Sequence, residues 1–382
     1  MTTNNELFQV NIQLMRVLNL WPAQNRAESQ CWRTFKDLSA FLASMPAILP
    51  IIADFVIQMQ GKYDDVLDIT ENLTALGALF GMLYLGACFV QNRTRIMALI
   101  ERLKVFEEFG TVDEMLATEH RASLYTRMFI FYGIFGNLCY LAIPYANMAA
   151  CRERRAASRY SAGIPCGLIT RCRLPFDYED SWFLYVAISL QLYACLVATM
   201  ITLTTTMFLV ALLMQVITQM QALRRLLKGN APIRECLRYH NMINEYASHV
   251  TQAFSSMMLM HITLTSFEIS VLGFEVLMVN SRTDSLRFGM HLVGWLVLLF
   301  LICSYGQKLI DESTGIGLDA YETNWYDSSV SVQKDLLLMI LRSQKPLTLS
   351  AASLGVMSLE TYLGVLSTAY SYFTLLLNMK KD

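Results

Sequence analysis

The side chains that most often carry catalysis or hold metal ions are scattered along this chain. Its five histidines lie at positions 120, 240, 249, 261 and 291, and its nine cysteines include no Cys-x-x-Cys pair. A metal site or a catalytic centre needs several such residues at matching spacing. We therefore expect neither an enzyme nor a metal-binding protein, and we expect no cofactor.

Three cysteines stand apart because they share one polar segment. Cys151, Cys166 and Cys172 lie between two apolar stretches. Disulfides form in oxidising compartments, so one disulfide among these three is possible if the segment is extracellular. The other six cysteines are interpreted as free thiols.

A few ionisable residues lie inside apolar stretches, where they are costly and usually paired or functional. His261, Glu268 and Glu275 are seven residues apart, which places them on one face of a helix. Glu275 and His291 flank a short turn and are candidates for a pair. A polar contact between helices is favoured over a role in ligand binding or permeation. Asp54 has no partner that the sequence identifies.

The last apolar stretch carries a stripe of small and polar residues. Steps of three and four place six residues on one helical face: Thr361, Gly364, Thr368, Ser371, Leu375 and Asn378. Spacing alone favours a helix–helix contact, because Gly, Ser and Thr allow helices to approach closely in membranes. The same stripe also suits a water-filled pore that is narrowed by a ring of leucines. Symmetric assembly around this helix would favour the pore.

The composition indicates that membrane-spanning helices position these residues. Hydrophobic residues make up 54% of the 382 and charged residues only 16%, against about 25% charged in ordinary soluble domains. The mean hydropathy is +0.38. The net charge of -1 excludes the basic surface that nucleic-acid binding requires.

About seven apolar stretches are long enough to cross a hydrocarbon core of about 30 Å. They lie at roughly 38–59, 73–91, 128–148, 182–213, 252–280, 288–306 and 349–379. We therefore predict an all-α membrane protein with seven transmembrane helices in a single domain. Residues 92–127 and 214–251 keep helical spacing, which predicts helices that extend beyond the membrane. Pro346 separates a helix over 331–342 from a last helix over 347–379.

The distribution of Lys and Arg predicts the orientation. The side that carries the N-terminus has 19 of them and the other side has 11. This bias predicts a cytoplasmic N-terminus and, with seven spans, an extracellular C-terminus. Residues 1–20 lack a continuous apolar core, so we expect no cleaved signal peptide.

The stretch from Trp325 to Leu376 closely resembles the C-terminal signature of the insect odorant receptors. The resemblance rests on Trp325–Asp327, Gln333–Lys334, Arg342–Leu347, Ser358–Thr361 and Ala369–Leu376, and on Leu174–Phe176 followed by Tyr185 and Gln191. It implies an odorant-gated cation channel at the plasma membrane of an olfactory neuron dendrite or cilium. The chain lacks the long insertion of the common co-receptor between spans four and five. It therefore resembles a tuning subunit, which forms a heterotetramer with the co-receptor among membrane lipids.

The resemblance also implies roles for particular regions. It implies a cytoplasmic segment over 1–37, a ligand-binding bundle of six spans over 38–306, and an anchor helix with a pore-lining span over 307–382. The pore residues would be Thr368, Ser371, Leu375 as the gate, and Asn378.

The resemblance places a small, mostly apolar odorant in the outer half of the bundle, between spans two, three, four and six. We therefore expect these candidates to bind it: Phe80, Leu83, Tyr84, Gly133, Gly136, Tyr140, Tyr185, Tyr193 and Met200. Each of them also suits ordinary packing. The alternative function is a secondary transporter or another polytopic receptor, although transporters usually contain internal repeats and broken helices, which this sequence lacks.

Overall fold

The computed structural model describes residues 7–22, 30–63, 65–156, 160, 164–174, 181–229, 231–279, 281–352 and 354–379. Ten α-helices occupy most of these residues. They are α1 (Gln9–Val17), α2 (Gln30–Met59), α3 (Val66–Leu103), α4 (Val112–Ala146), α5 (Met148–Ala156), α6 (Trp182–Lys228), α7 (Ile233–Met278), α8 (Arg282–Tyr321), α9 (Val330–Ser343) and α10 (Leu359–Met379).

Six of the helices are long and apolar enough to cross a membrane: α2, α3, α4, α6, α7 and α8. The seventh candidate, α10, has 21 residues and Glu360 as its single charged side chain. At 1.5 Å per residue it is about 31 Å long, which suffices for one span. The predicted all-α membrane fold is confirmed.

Successive long helices run antiparallel, so the bundle has two ends. The connections 60–65, 147–181 and 279–281 lie at one end, here called the loop end. The connections 104–111, 229–232 and 322–358 lie at the other, here called the stem end. Local interactions define where some helices begin. The Asp65 carboxylate caps the N-terminus of α3, and the Ser181 hydroxyl caps that of α6. Gly110 adopts a positive φ of 73° in the turn before α4.

Helix α6 is the central helix of the bundle. Its residues are buried without a break from Leu203 to Met220, and a helix that is apolar on all sides is typical of a protein interior. With 47 residues it is about 70 Å long and extends well past a hydrocarbon core of about 30 Å. Helices α3, α4 and α7 also continue beyond the predicted spans, as the helical spacing of 92–127 and 214–251 indicated.

The last helix begins later than the sequence suggested. The prediction of a helix from residue 347 is wrong, because α10 starts at Leu359. Residues 344–352 and 354–358 instead form an irregular segment, in which Met357 N–H donates to the Leu349 carbonyl at 2.8 Å. The Met357 carbonyl lies against Gly306 of α8, where any Cβ would collide with it. This close approach, which needs a glycine, packs the segment against α8.

Candidate functional site

A cavity of about 190 Å³ lies near the loop end of the bundle. Its walls come from α2, α3, α4, α6 and α8, and residues 169–170 of the connection between α5 and α6 close one side. Most of the lining is apolar or aromatic, including Ile51, Leu79, Phe129, Phe135, Ala198, Leu203, Phe288 and Leu298. A concave, mostly apolar pocket with a few polar groups is the usual form of a small-molecule site.

One wall of the cavity is polar and connected by hydrogen bonds. The Tyr140 hydroxyl lies 3.0 Å from Nδ1 of His291, and the Trp295 indole N–H donates to Nε2 of the same histidine at 3.1 Å. Arg287 forms an ion pair with Glu71 at 2.7 Å. Its guanidinium lies 5.2 Å from the centre of the Tyr140 ring, a favourable cation–π distance.

The segment that closes the cavity is held by a buried ion-pair cluster. Asp54 of α2 is fully buried and accepts hydrogen bonds from Nε of Arg171 at 3.0 Å and Nε of Arg173 at 3.3 Å. Asn72 of α3 donates to the same carboxylate at 3.0 Å. Arg171 also pairs with Asp68 at 2.7 Å. The partners that the sequence did not identify for Asp54 are therefore two arginines of the loop end.

A second contact fixes the backbone of this segment to α6. The Gln191 side-chain oxygen accepts from the Ile169 N–H at 3.0 Å, and its amide donates to the Thr170 carbonyl at 2.7 Å. Ile169, Thr170 and Gln191 all line the cavity. The segment therefore forms part of the cavity wall rather than a loose loop.

Cys151 and Cys166 form a disulfide that joins α5 to the same segment. Cys172 is buried outside this disulfide, and its sulfur accepts a hydrogen bond from the Gln191 amide at 3.3 Å. One disulfide among the three cysteines was among the alternatives that the sequence left open.

Three of the nine sequence-predicted ligand residues line the cavity: Gly133, Gly136 and Tyr140. The other six lie elsewhere. The side chains of Phe80, Tyr185 and Tyr193 are exposed on the outside of the bundle, and Leu83, Tyr84 and Met200 are half-buried away from the cavity. Helical spacing identifies residues that share a face, but it does not show which neighbour that face meets.

Several cavity residues lie outside the sequence-predicted site. Arg287 and Glu71 lie just beyond the ends of the predicted spans, where charged residues are typical of loops, yet both line the cavity. The predicted pairing of His291 with Glu275 is wrong. Glu275 accepts from the Thr74 hydroxyl at 3.2 Å instead. The sequence feature that could have identified this wall is the pair Arg287 and His291, which lie one helical turn apart in α8.

Of the ionisable residues of α7, His261 and Glu275 make the expected polar contacts between helices, whereas neither carboxylate oxygen of Glu268 has a hydrogen-bond partner within the described part of the chain. His261 is hydrogen-bonded to the Thr206 hydroxyl at 2.7 Å. Glu268 is fully buried, and its carboxylate lies against Gly77 of α3. Neither residue lines the cavity.

The predicted polar stripe of α10 faces away from the bundle. Gly364, Thr368, Ser371, Leu375 and Asn378 are exposed, and Thr361 is half-buried. The opposite face packs inward: Val365 and Ala369 are buried, and Phe373 lies near Gly273 of α7. The stripe therefore makes no helix–helix contact within the described part of this chain.

Known proteins resemble this chain in sequence and in fold. A family model described as 7tm Odorant receptor matches residues 65–370. "Putative odorant receptor 85d" of Drosophila melanogaster is 24% identical over 381 residues, which cover 94% of this chain and 90% of the relative. "Odorant receptor 67c" of the same species is 32% identical over 141 residues, or 37% of this chain and 34% of that receptor.

Two further similarities concern a co-receptor and a solved structure. "Odorant receptor coreceptor" of Aedes aegypti is 26% identical over 162 residues, which cover 40% of this chain and 33% of the co-receptor. The structure of the insect olfactory receptor OR5 from Machilis hrabei in complex with eugenol matches with a TM-score of 0.78 at 14% identity, over 97% of both chains. The family match spans most of the chain, and the fold agrees with it. The chain thus belongs to the 7tm odorant receptor family and is a receptor rather than an enzyme, as its sequence predicted.

Proposed function

We propose that this chain is the odorant-binding subunit of a heteromeric, ligand-gated cation channel in the plasma membrane. The observation that carries this proposal is the mostly apolar cavity of about 190 Å³ near the loop end. A small volatile binds there by shape and dispersion, with a few polar contacts. The similar receptor OR5 was solved with eugenol, which supports a small volatile as ligand.

The exposed stripe of α10 supports a channel formed by several subunits. A polar helix face with no partner inside its own chain is costly in lipid, so it needs either water or another subunit beside it. A central pore built from the α10 helices of four subunits satisfies this need, with Leu375 at the constriction. Similarity to an odorant receptor co-receptor supports a heteromer with such a subunit.

The disulfide supports an extracellular loop end. Cys151 and Cys166 are oxidised in the structure, and disulfides persist outside the cytosol. Because α10 also ends at the loop end, the C-terminus is extracellular and the N-terminus is cytoplasmic. The excess of Lys and Arg on the N-terminal side agrees with this orientation.

The cavity can be tested by filling it without disturbing the packing. A Cβ at Gly136 would meet no atom within 4 Å, so Gly136→Val puts its methyl groups into the open space of the cavity. We expect a loss of odorant potency of about tenfold or more, since overfilling a site typically costs about 1–3 kcal/mol. The measurement is the odorant dose–response curve of the channel expressed with its co-receptor.

Gly289 of α8 provides the matched control. A Cβ there also meets no atom within 4 Å, but Gly289 does not line the cavity. Gly289→Val should leave the dose–response curve unchanged. Equal curves for the wild type and Gly136→Val would place odorant binding elsewhere.

The orientation can be tested with epitope tags. An antibody should reach a C-terminal tag on intact cells but an N-terminal tag only after permeabilisation, and detection of both tags in permeabilised cells is the control. Asn92 begins a glycosylation sequon near the stem end and should carry no sugar. A glycan on Asn92 would contradict the proposed orientation.

A further inference from the structure

We propose that the cavity selects ligands that carry a neutral hydrogen-bond acceptor, such as a carbonyl or ester oxygen, and that the Tyr140 hydroxyl donates this hydrogen bond. His291 and Trp295 act as positioning residues that fix the direction in which Tyr140 donates. The inference rests on the proposed function of the cavity as the odorant site and names the chemical class of its ligand.

The direction of the hydrogen bonds follows from the chemistry of the three side chains. The indole N–H of Trp295 can only donate, so Nε2 of His291, at 3.1 Å, is the acceptor. A neutral histidine then carries its proton on Nδ1. That N–H points at the Tyr140 hydroxyl oxygen at 3.0 Å and donates to it. The hydroxyl hydrogen of Tyr140 is therefore left to donate to another group.

The free hydroxyl hydrogen of Tyr140 can be donated to a ligand, because Tyr140 lines the cavity. A hydroxyl donor that faces an apolar cavity has no acceptor there, and a ligand oxygen supplies one. The Tyr140–His291 contact is the single hydrogen bond of this hydroxyl among the described residues.

Arg287 is the positively charged side chain at the same wall. Its charge is already balanced by Glu71 at 2.7 Å and Asp284 at 3.8 Å. A wall without a free positive charge favours a neutral acceptor over a carboxylate. The apolar remainder of the wall favours a hydrocarbon body on the ligand.

The test compares two ligands that differ only in the acceptor. Acetophenone and α-methylstyrene have the same shape, with a C=O in the first where the second has C=CH₂, and cyclohexanone with methylenecyclohexane forms a second pair. In the channel expressed with its co-receptor, each ketone should activate at about two- to tenfold lower concentration than its hydrocarbon, the effect of one hydrogen bond.

The variants assign this preference to Tyr140. Tyr140→Phe removes the hydroxyl and keeps the ring, so the potency ratio within each pair should fall to about one while the hydrocarbon potency is kept. Trp295→Phe removes the indole N–H that fixes the proton of His291 on Nδ1, so His291 can adopt either tautomer. This variant should reduce the potency ratio in part. Tyr132→Phe is the matched control: Tyr132 also lines the cavity, but its hydroxyl already donates to the Met290 carbonyl, so the ratio should not change.

The outcomes separate this inference from the proposed function. If Gly136→Val lowers potency but ketone and hydrocarbon act equally, the cavity binds odorants and the acceptor preference is wrong. Stronger activation by benzylamine or benzoate than by acetophenone would also overturn it, in favour of a charged ligand. If none of these compounds opens the channel, saturation-transfer NMR on the purified complex compares the binding of the ketone and the hydrocarbon in each pair. Equal binding of both compounds would overturn the acceptor preference. Binding of neither would also contradict the proposal that the cavity is the odorant site.

Discussion

Asp54→Asn is expected to destabilise the folded protein by about 3–5 kcal/mol, the usual cost of breaking a buried ion pair from one side. Asparagine keeps the shape of the site but removes the negative charge between Arg171 and Arg173. The Arg171 side chain is only 9% exposed, so water does not replace the charge of Asp54, and Asp68 at 2.7 Å is the carboxylate that remains beside it. The melting temperature of the detergent-solubilised protein should fall, and fewer molecules should reach the cell surface.

The control for this prediction is the same substitution on the surface. Asp311 of α8 is exposed and contacts the Gln307 amide at 2.9 Å. Asp311→Asn should change stability by no more than about 0.5 kcal/mol. The double variant Asp54→Asn with Arg171→Gln should lose less than the sum of the two single variants, because it leaves one fewer uncompensated charge. Additive losses would mean that Asp54 and Arg171 do not interact in the folded protein.

The membrane fold was predictable because it depends on local composition. A hydrocarbon core tolerates few charges over about 20 residues, so each span leaves a visible apolar stretch in the sequence. Helix α6 is the clearest example, since residues 182–214 carry no charged side chain. The start of α10 was predicted too early because residues 347–358 are apolar without being helical. Their contacts, such as Met357 against Gly306, involve residues far away in sequence.

The cavity was only partly predictable because its contacts join distant parts of the chain. Asp54 and Arg171 are 117 residues apart, and Tyr140 and His291 are 151 residues apart. Periodicity correctly groups Gly133, Gly136 and Tyr140 on one face of α4. It does not show that α8 brings an arginine and a histidine to the same wall, because that depends on how the helices rotate and pack.

The stripe of α10 was predictable as a helical face, but its neighbours were not. Its periodicity predicted a single face, and in the structure that face is exposed in the single chain. Spacing alone favoured a helix–helix contact, and within this chain the contacts of α10 use the opposite face through Val365, Ala369 and Phe373. In the proposed channel, water or other subunits meet the stripe, and these lie outside one chain.

Leu375→Ser is expected to produce a channel that conducts without odorant. The Leu375 side chain is 56% exposed in the single chain and lies on the same face as Ser371 and Asn378. In the proposed pore it narrows the path with apolar surface, and such a constriction blocks ions by excluding water. Serine is smaller and polar, so the closed pore fills with water and leaks. The leak should be comparable with the odorant-evoked current of the wild type, measured in cells that also express the co-receptor.

Leu366→Ser on the same helix is the matched control. Leu366 is partly buried and packs against the hydrophobic core, so its loss should lower surface expression through destabilisation and leave the resting current low. Normalising each current to the amount of receptor at the surface separates the two effects. Because other subunits contribute their own gate residues, the resting current as a fraction of the maximal current is the appropriate readout. A large resting current in Leu366→Ser together with a low resting current in Leu375→Ser would place the pore on the opposite face of α10.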